Sequence, residues 1–221
     1  MQPSEFHTLF YTPVWRYTYP DFAEDQEALV KYFTNDDIYI SERERNKLQI
    51  TRANIHKDED PLIIKLSEWI KECCRSSMIA MGLQPDIGIT SMWATRTAQE
   101  GYHHPHFHTN CFLAGVMHLW DVDGNASGTV FENTEAPKYV IQPASLEDGN
   151  NILKYEEHLP FIPGTVIVFP SFAKHRTMPT DSRYRVVIGF NTMPIGMTNV
   201  DHYDRYSYSD PSEMALKEYE E

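Results

Sequence analysis

The 221-residue chain lacks any apolar run approaching the ~20 residues that a membrane-spanning helix requires, so no helical span is expected. Its opening residues, Met1-Gln2-Pro3-Ser4-Glu5-Phe6, have neither the basic region nor the apolar core of a secretory signal, so export is not expected. Basic residues are scarce, with 19 Lys and Arg against 32 Asp and Glu and a net charge of −13. Phosphate backbones are bound mainly by clustered cations, so a nucleic-acid groove is disfavoured, as is an anionic membrane surface. Cysteine is also sparse: Cys73 and Cys74 are adjacent and Cys111 stands alone. An odd count without framework spacing predicts reduced thiols in a cytoplasmic setting. Neither an internal repeat nor a clean linker is present, and nothing in the sequence fixes the oligomeric state.

Hydrophobic residues make up 41% of the chain, enough for a packed core. Leu9 to Trp15 is apolar and aromatic and predicts a strand, with Pro13 at an edge or bulge. Gln26 to Phe33 predicts a short helix. Asp60-Pro61 opens the strongest helix, Leu62 to about Met81, where Leu62, Ile63, Leu66, Trp69, Ile70 and Cys73 recur at three- and four-residue steps. That spacing places Cys73 in the core, and Gly82 supplies the stop. Beyond Gly82 come short β-like runs: Ile87–Thr97, Cys111–Trp120, Gly128–Glu132, Lys138–Ile141, Thr165–Phe169 and Tyr184–Thr192, separated by turns such as Asp123-Gly124-Asn125 and Pro163-Gly164. Helices followed by many short strands predict a mainly β, α+β layout, a sandwich, jelly roll or barrel with helices on one outer face.

Four of the ten histidines fall within residues 103–108, as His103-His104-Pro105-His106-Phe107-His108. A solvated loop can have this composition, and such clusters bind adventitious metals. Spacing argues for more. In an extended chain His106 and His108 point to the same face, roughly 6.5–7 Å apart, and two imidazoles so placed can converge on one ion. Further on, Pro163-Gly164 leads into a buried run ending at Phe169-Pro170-Ser171, and a loop then delivers His175. Arg185 begins the next apolar strand, where an arginine is costly without an anion beside it. A His-x-His pair, a downstream histidine and a strand-borne arginine are the parts of a mononuclear iron site that holds a dicarboxylate.

At these residues the sequence resembles the 2-oxoglutarate/Fe(II)-dependent oxygenases, and more narrowly the 2OG-Fe(II) oxygenases of bacteria and their phages. His106-Phe107-His108-Thr109-Asn110-Cys111-Phe112-Leu113-Ala114-Gly115-Val116, Phe169-Pro170-Ser171 through His175, and Arg185 through Phe190-Asn191 carry the likeness. Leu9, Pro13-Val14-Trp15 and Ser91-Met92-Trp93-Ala94 add to it. Cys111 and Ala114 stand where the group usually has serines, and Val187 and Gly189 replace small polar residues.

The resemblance implies a double-stranded β-helix, a jelly roll of cupin-like form with flanking helices. It would form one domain over residues 1–221, with 1–85 as strand and helical support, 86–193 as the β-helix and 194–221 as a polar tail. It implies Fe(II) held by His106 and His175, and 2-oxoglutarate as cosubstrate with its far carboxylate on Arg185. Most of the superfamily has His-x-Asp or His-x-Glu. Here either His108 is the third ligand, or it stands behind the site and Asp121, Asp123 or Glu132 supplies a carboxylate. The reaction implied is hydroxylation of a small molecule, peptide or protein, with release of succinate and CO₂.

Asn110, His118, Asn191 and His104 are candidate pocket residues. His104 and His103 equally suit a loop at the mouth, His118 a hydrogen-bonded core position, and Asn191 either the mouth or a turn cap. His7, His56, His158 and His202 read as surface residues, and Arg183 as solvated. Two other functions are open. One is a cupin-like three-histidine dioxygenase without 2-oxoglutarate, and the other is a catalytically silent β-helix used for binding.

Overall fold

The computed structural model describes residues 11–135, 141, 144, 154–198 and 206–208. Helix α1 spans Phe22–Thr34 and helix α2 Pro61–Ala80, and three short 3-10 turns cover Asp36–Ile38, Glu44–Asn46 and Ile55–Lys57. Helix α2 starts where the side chain of Asp60 accepts the N–H of Leu62 at 2.8 Å and Pro61 has no N–H to leave unsatisfied. It stops where Gly82 takes φ +75°, so that the N–H groups of Gly82 and Leu83 reach the carbonyls of Ile79 and Met78, each at 2.9 Å. Its stripe of Ile63, Leu66, Ile70, Cys73 and Cys74 is buried. Burial pushes the Cys73 thiol up to about 12, which keeps it an inert part of the core.

The strands are β1 Trp15–Thr18, β2 Tyr39–Arg43, β3 Leu48–Thr51, β4 Ile87–Ala98, β5 Leu113–Asp121, β6 Thr129–Glu132, β7 Glu156–Leu159, β8 Thr165–Pro170, β9 His175–Thr177, β10 Tyr184–Pro194, β11 Gly196–Thr198 and β12 Tyr206–Tyr208. Seven form an antiparallel sheet in the order β1-β8-β5-β10-β4-β3-β2, and β7-β6-β9 form a smaller antiparallel one. Alternation along each strand gives the large sheet two faces. One face, with Ile87, Met92, Leu113, Met117, Val166, Val168, Val186, Ile188 and Phe190, packs with the helices in the main core. The other contributes Ala114, Ile167 and Phe169 to a second core with Phe131 and Ala173 from the small-sheet side. Two facing antiparallel sheets with helices on one outer side make this the double-stranded β-helix that the resemblance implies.

Several boundaries differ from the sequence-based expectation. The first strand is Trp15–Thr18, starting where the expected one ends, because Trp15 to Thr18 pair with β8 beyond Pro13. Residues 9 and 10, and most of Lys138–Ile141, lie outside the described residues. Strands β2 and β3 are not among the expected elements, since β2 is mostly exposed and β3 has only four residues in which to show alternation. In the tail, β11 and β12 pair, so part of that polar stretch is regular.

Candidate metal centre

A single β-bridge assembles the site. His106 and His175 exchange both backbone hydrogen bonds, each 2.9 Å long, in an antiparallel bridge. Residues paired in this way project to the same face with Cα atoms ~5.5 Å apart. His108, two residues on, returns to that face, and its N–H is held by the carbonyl of Ser171 at 3.0 Å. The ring centroids of His106 and His175 are 4.2 Å apart, those of His108 and His175 5.2 Å, and those of His106 and His108 5.3 Å. One ligand atom from each of the three lies within 4.8 Å of the other two.

Hydrogen bonds at Nδ1 orient all three rings. His106 Nδ1 meets the carbonyl of His104 at 2.8 Å, His175 Nδ1 that of Ala173 at 2.9 Å, and His108 Nδ1 the Oδ1 of Asn191 at 2.6 Å. Each partner can only accept, so each Nδ1 carries the proton and donates. The lone pair is left on Nε2, the arrangement in which an imidazole binds a metal. Burial, then neighbouring His106, pushes His175 down to about 3 and His108 down to about 4, and burial lowers His106 as well. The three are therefore neutral at pH 7, as ligands must be. This donor set fits a divalent transition metal.

Arg185 is 2% exposed. Its Nη1 donates to the backbone carbonyl and the Oγ of Ser127, and its Nη2 to Thr177 Oγ1 at 2.8 Å. Its Nε has no partner. Among the described residues no carboxylate lies within ion-pair distance, and burial lowers its pKa to about 10, opposed only by the field of Asp121. A buried guanidinium with an unused N–H retains the capacity to donate to an anion. Arg183, by contrast, is solvent-facing and paired with Asp123 at 2.9 Å.

The three carboxylates considered as ligands lie elsewhere. Asp121 accepts the N–H of Ala126, Asp123 holds Arg183, and Glu132 pairs with Lys174 and Arg176. Asn191 ties its Nδ2 to Ser91 and its Oδ1 to His108, so it braces a ring of the triad. His118 is buried and stacked on Phe161, with Nδ1 accepting from Ile162 at 3.3 Å and Nε2 donating to Thr129 at 3.2 Å. Asn110 is exposed in a left-handed turn at φ +52°. His104 is exposed and enters the site through its carbonyl, while the half-buried ring of His103 lies 4.3 Å from that of His106. His158 is on the surface, and His7 and His202 lie outside the described residues. His56 departs from its surface reading: its ring nitrogens are sealed without partners, and burial pushes it down to about 4. Sequence reasoning missed Ser127 and Thr177. Thr177 had a legible signal, since it is two residues from His175 and shares its face.

Residues 91–191 match the family described as "Putative 2OG-Fe(II) oxygenase", a stretch that contains the triad, Arg185 and Asn191. Over this stretch, just under half of its length, the chain is similar to the 2OG-Fe(II) oxygenases. Iron(II) and 2-oxoglutarate are the metal and cosubstrate of that family. No curated protein matches this sequence. Solved 2OG-Fe(II) oxygenase structures share the fold at low identity. The α-ketoglutarate-dependent epimerase SnoN from nogalamycin biosynthesis is 10% identical with a TM-score of 0.60, covering 92% of this chain and 91% of that one. HygX from Streptomyces hygroscopicus, solved with nickel, 2-oxoglutarate and hygromycin B, is 9% identical with a TM-score of 0.55, covering 90% and 92%. A Pseudomonas putida prolyl-4-hydroxylase is 14% identical with a TM-score of 0.54, covering 83% and 93%. Among the described residues no helix is long and apolar enough to cross a membrane.

Proposed function

We propose that His106, His108 and His175 hold Fe(II) through their Nε2 atoms, that Arg185 receives the distal carboxylate of 2-oxoglutarate, and that the enzyme hydroxylates a small molecule, peptide or protein with release of succinate and CO₂. One observation carries this reading: three neutral imidazoles, each fixed by a hydrogen bond at Nδ1, share a face with a buried arginine that has no carboxylate partner among the described residues. Bound iron supplies oxygen activation coupled to decarboxylation of the cosubstrate. The chain's own part is orientation. His104, Ala173 and Asn191 fix the rings, while Ser127 and Thr177 hold the guanidinium ready before an anion arrives. Phe131 and Phe169, packed around His175 with centroids at 5.8 and 4.6 Å, keep water from its flank. We read residues 1–221 as one oxygenase domain. Three free cysteines, two of them buried, fit a cytoplasmic setting.

The test is succinate formation by the iron-loaded protein under O₂ with 2-oxoglutarate. An all-histidine ligand set also suits a cupin-like dioxygenase that uses no 2-oxoglutarate. Oxygen uptake with no succinate formed would favour that enzyme, and no iron uptake after anaerobic reconstitution would favour a silent binding module.

A further inference from the structure

The inner face of β10 carries Arg185 near one end and Asn191, with His108 attached to it, toward the other. Gly189 lies between them, and its Cα partner in β4 is Trp93. A Cβ on Gly189 would stand 2.7 Å from Cζ2, 2.8 Å from Cε2 and 3.1 Å from Nε1 of Trp93. The indole therefore lies across backbone that any larger residue would occupy, and close approach is the reason for a glycine inside a strand. The ring centroid of Trp93 is 6.2 Å from that of His108, with the planes inclined by 31°. Trp93 is half-buried, and among the described residues no acceptor takes its Nε1–H.

We propose that Trp93 contacts the 2-oxo acid end of the cosubstrate, walling the space between the histidine triad and Arg185 and donating its Nε1–H to an oxygen of that end. The inference rests on the proposed 2-oxoglutarate site. A dicarboxylate with one end at the triad and the other at Arg185 runs along the inner face of β10. At ~3.3 Å per residue, Gly189 is roughly 7 Å from Asn191 and roughly 13 Å from Arg185, so the indole belongs to the metal end of that path. The face of the indole offers apolar contact to the carbon chain, and its edge is a donor-only group suited to a carboxylate or oxo oxygen.

The experiment is calorimetric titration of 2-oxoglutarate into Ni(II)-loaded parent protein, Trp93→Phe and Trp93→Ala, with a parallel titration of Ni(II) into each apoprotein. Trp93→Phe keeps a ring and loses the donor, and should weaken 2-oxoglutarate about tenfold. Trp93→Ala should weaken it further, and Ni(II) affinity should stay within twofold throughout. The emission difference between parent and Trp93→Phe isolates one of the four tryptophans. Adding 2-oxoglutarate to the Ni(II)-loaded protein should change that component. Variants that bind 2-oxoglutarate within twofold of the parent, or a Trp93 emission unmoved at saturation, overturn the contact while leaving the cosubstrate site standing. Loss of Ni(II) binding in Trp93→Phe overturns it in favour of a structural role. A parent that binds Ni(II) but no 2-oxoglutarate overturns both the contact and the site on which it rests.

Discussion

Replacing Arg185 with Met should move two quantities in opposite directions. Arg185 is 2% exposed, and among the described residues its guanidinium meets only neutral acceptors, Ser127 and Thr177, with Nε unused. Burial has already lowered its pKa to about 10, which means that the fold pays to keep this charge. Even a buried ion pair can often be replaced by well-packed apolar side chains at no loss or with a gain of ~1–4 kcal/mol, and here the charge has no described anion to offset its desolvation. Apo Arg185→Met should therefore melt at or above the parent temperature. With 2-oxoglutarate present the sign reverses. Truncating one partner of a buried charge pair costs ~2–5 kcal/mol, so the affinity should fall roughly 30-fold or more. Arg185→Lys should also bind poorly, because an ammonium cannot reproduce the guanidinium's fork. Calorimetry of metal-loaded protein measures the affinity, and thermal denaturation with and without 2-oxoglutarate measures the stability. Unchanged 2-oxoglutarate affinity in Arg185→Met would refute the assignment and make Arg185 structural.

Alanine at His106 or His175 should abolish stoichiometric Fe(II) binding, as metal analysis after anaerobic reconstitution will show. His108→Ala should do the same, and retained iron would move His108 out of the ligand set. Asn191→Ala removes the acceptor on His108 Nδ1 and should lower metal affinity about 10–100-fold without unfolding the protein, which competition with a chelator can read. His118 titrates at about 3 in the fold, mainly through burial, against ~6.5 when unfolded. The unfolded chain therefore binds the extra proton first, and this contribution to stability, complete above the unfolded value, is lost as pH falls toward the folded one. Urea titrations at pH 6 and pH 4 should show a smaller loss for His118→Gln than for the parent, by up to ~2.7 kcal/mol at ~1.36 kcal/mol per pH unit.

The sequence by itself determined the elements with strong periodicity. Helix α2 and strands β4, β5, β8 and β10 were legible because their apolar residues repeat at 3.6 or 2 and their ends carry Asp60-Pro61, Gly82 and Gly164. It also marked out His106, His108, His175 and Arg185, because histidines two apart in extended chain and a charge in an apolar strand each demand a chemical reason. Tertiary structure decided what depends on atoms distant in sequence. The bridge between His106 and His175 joins segments 69 residues apart and closes the triad. Asn191 could be a mouth residue or a turn cap on local grounds, and only the approach of β10 to the histidine loop makes it the acceptor for His108. Ser127 carries no signal in the sequence, and Thr177 is legible only as a residue sharing the face of His175; the fold alone makes these two the residues that receive the guanidinium of Arg185 among those described. Spacing along a chain fixes which face a side chain takes, whereas hydrogen-bond partners across a fold are fixed by how strands from remote segments come into register.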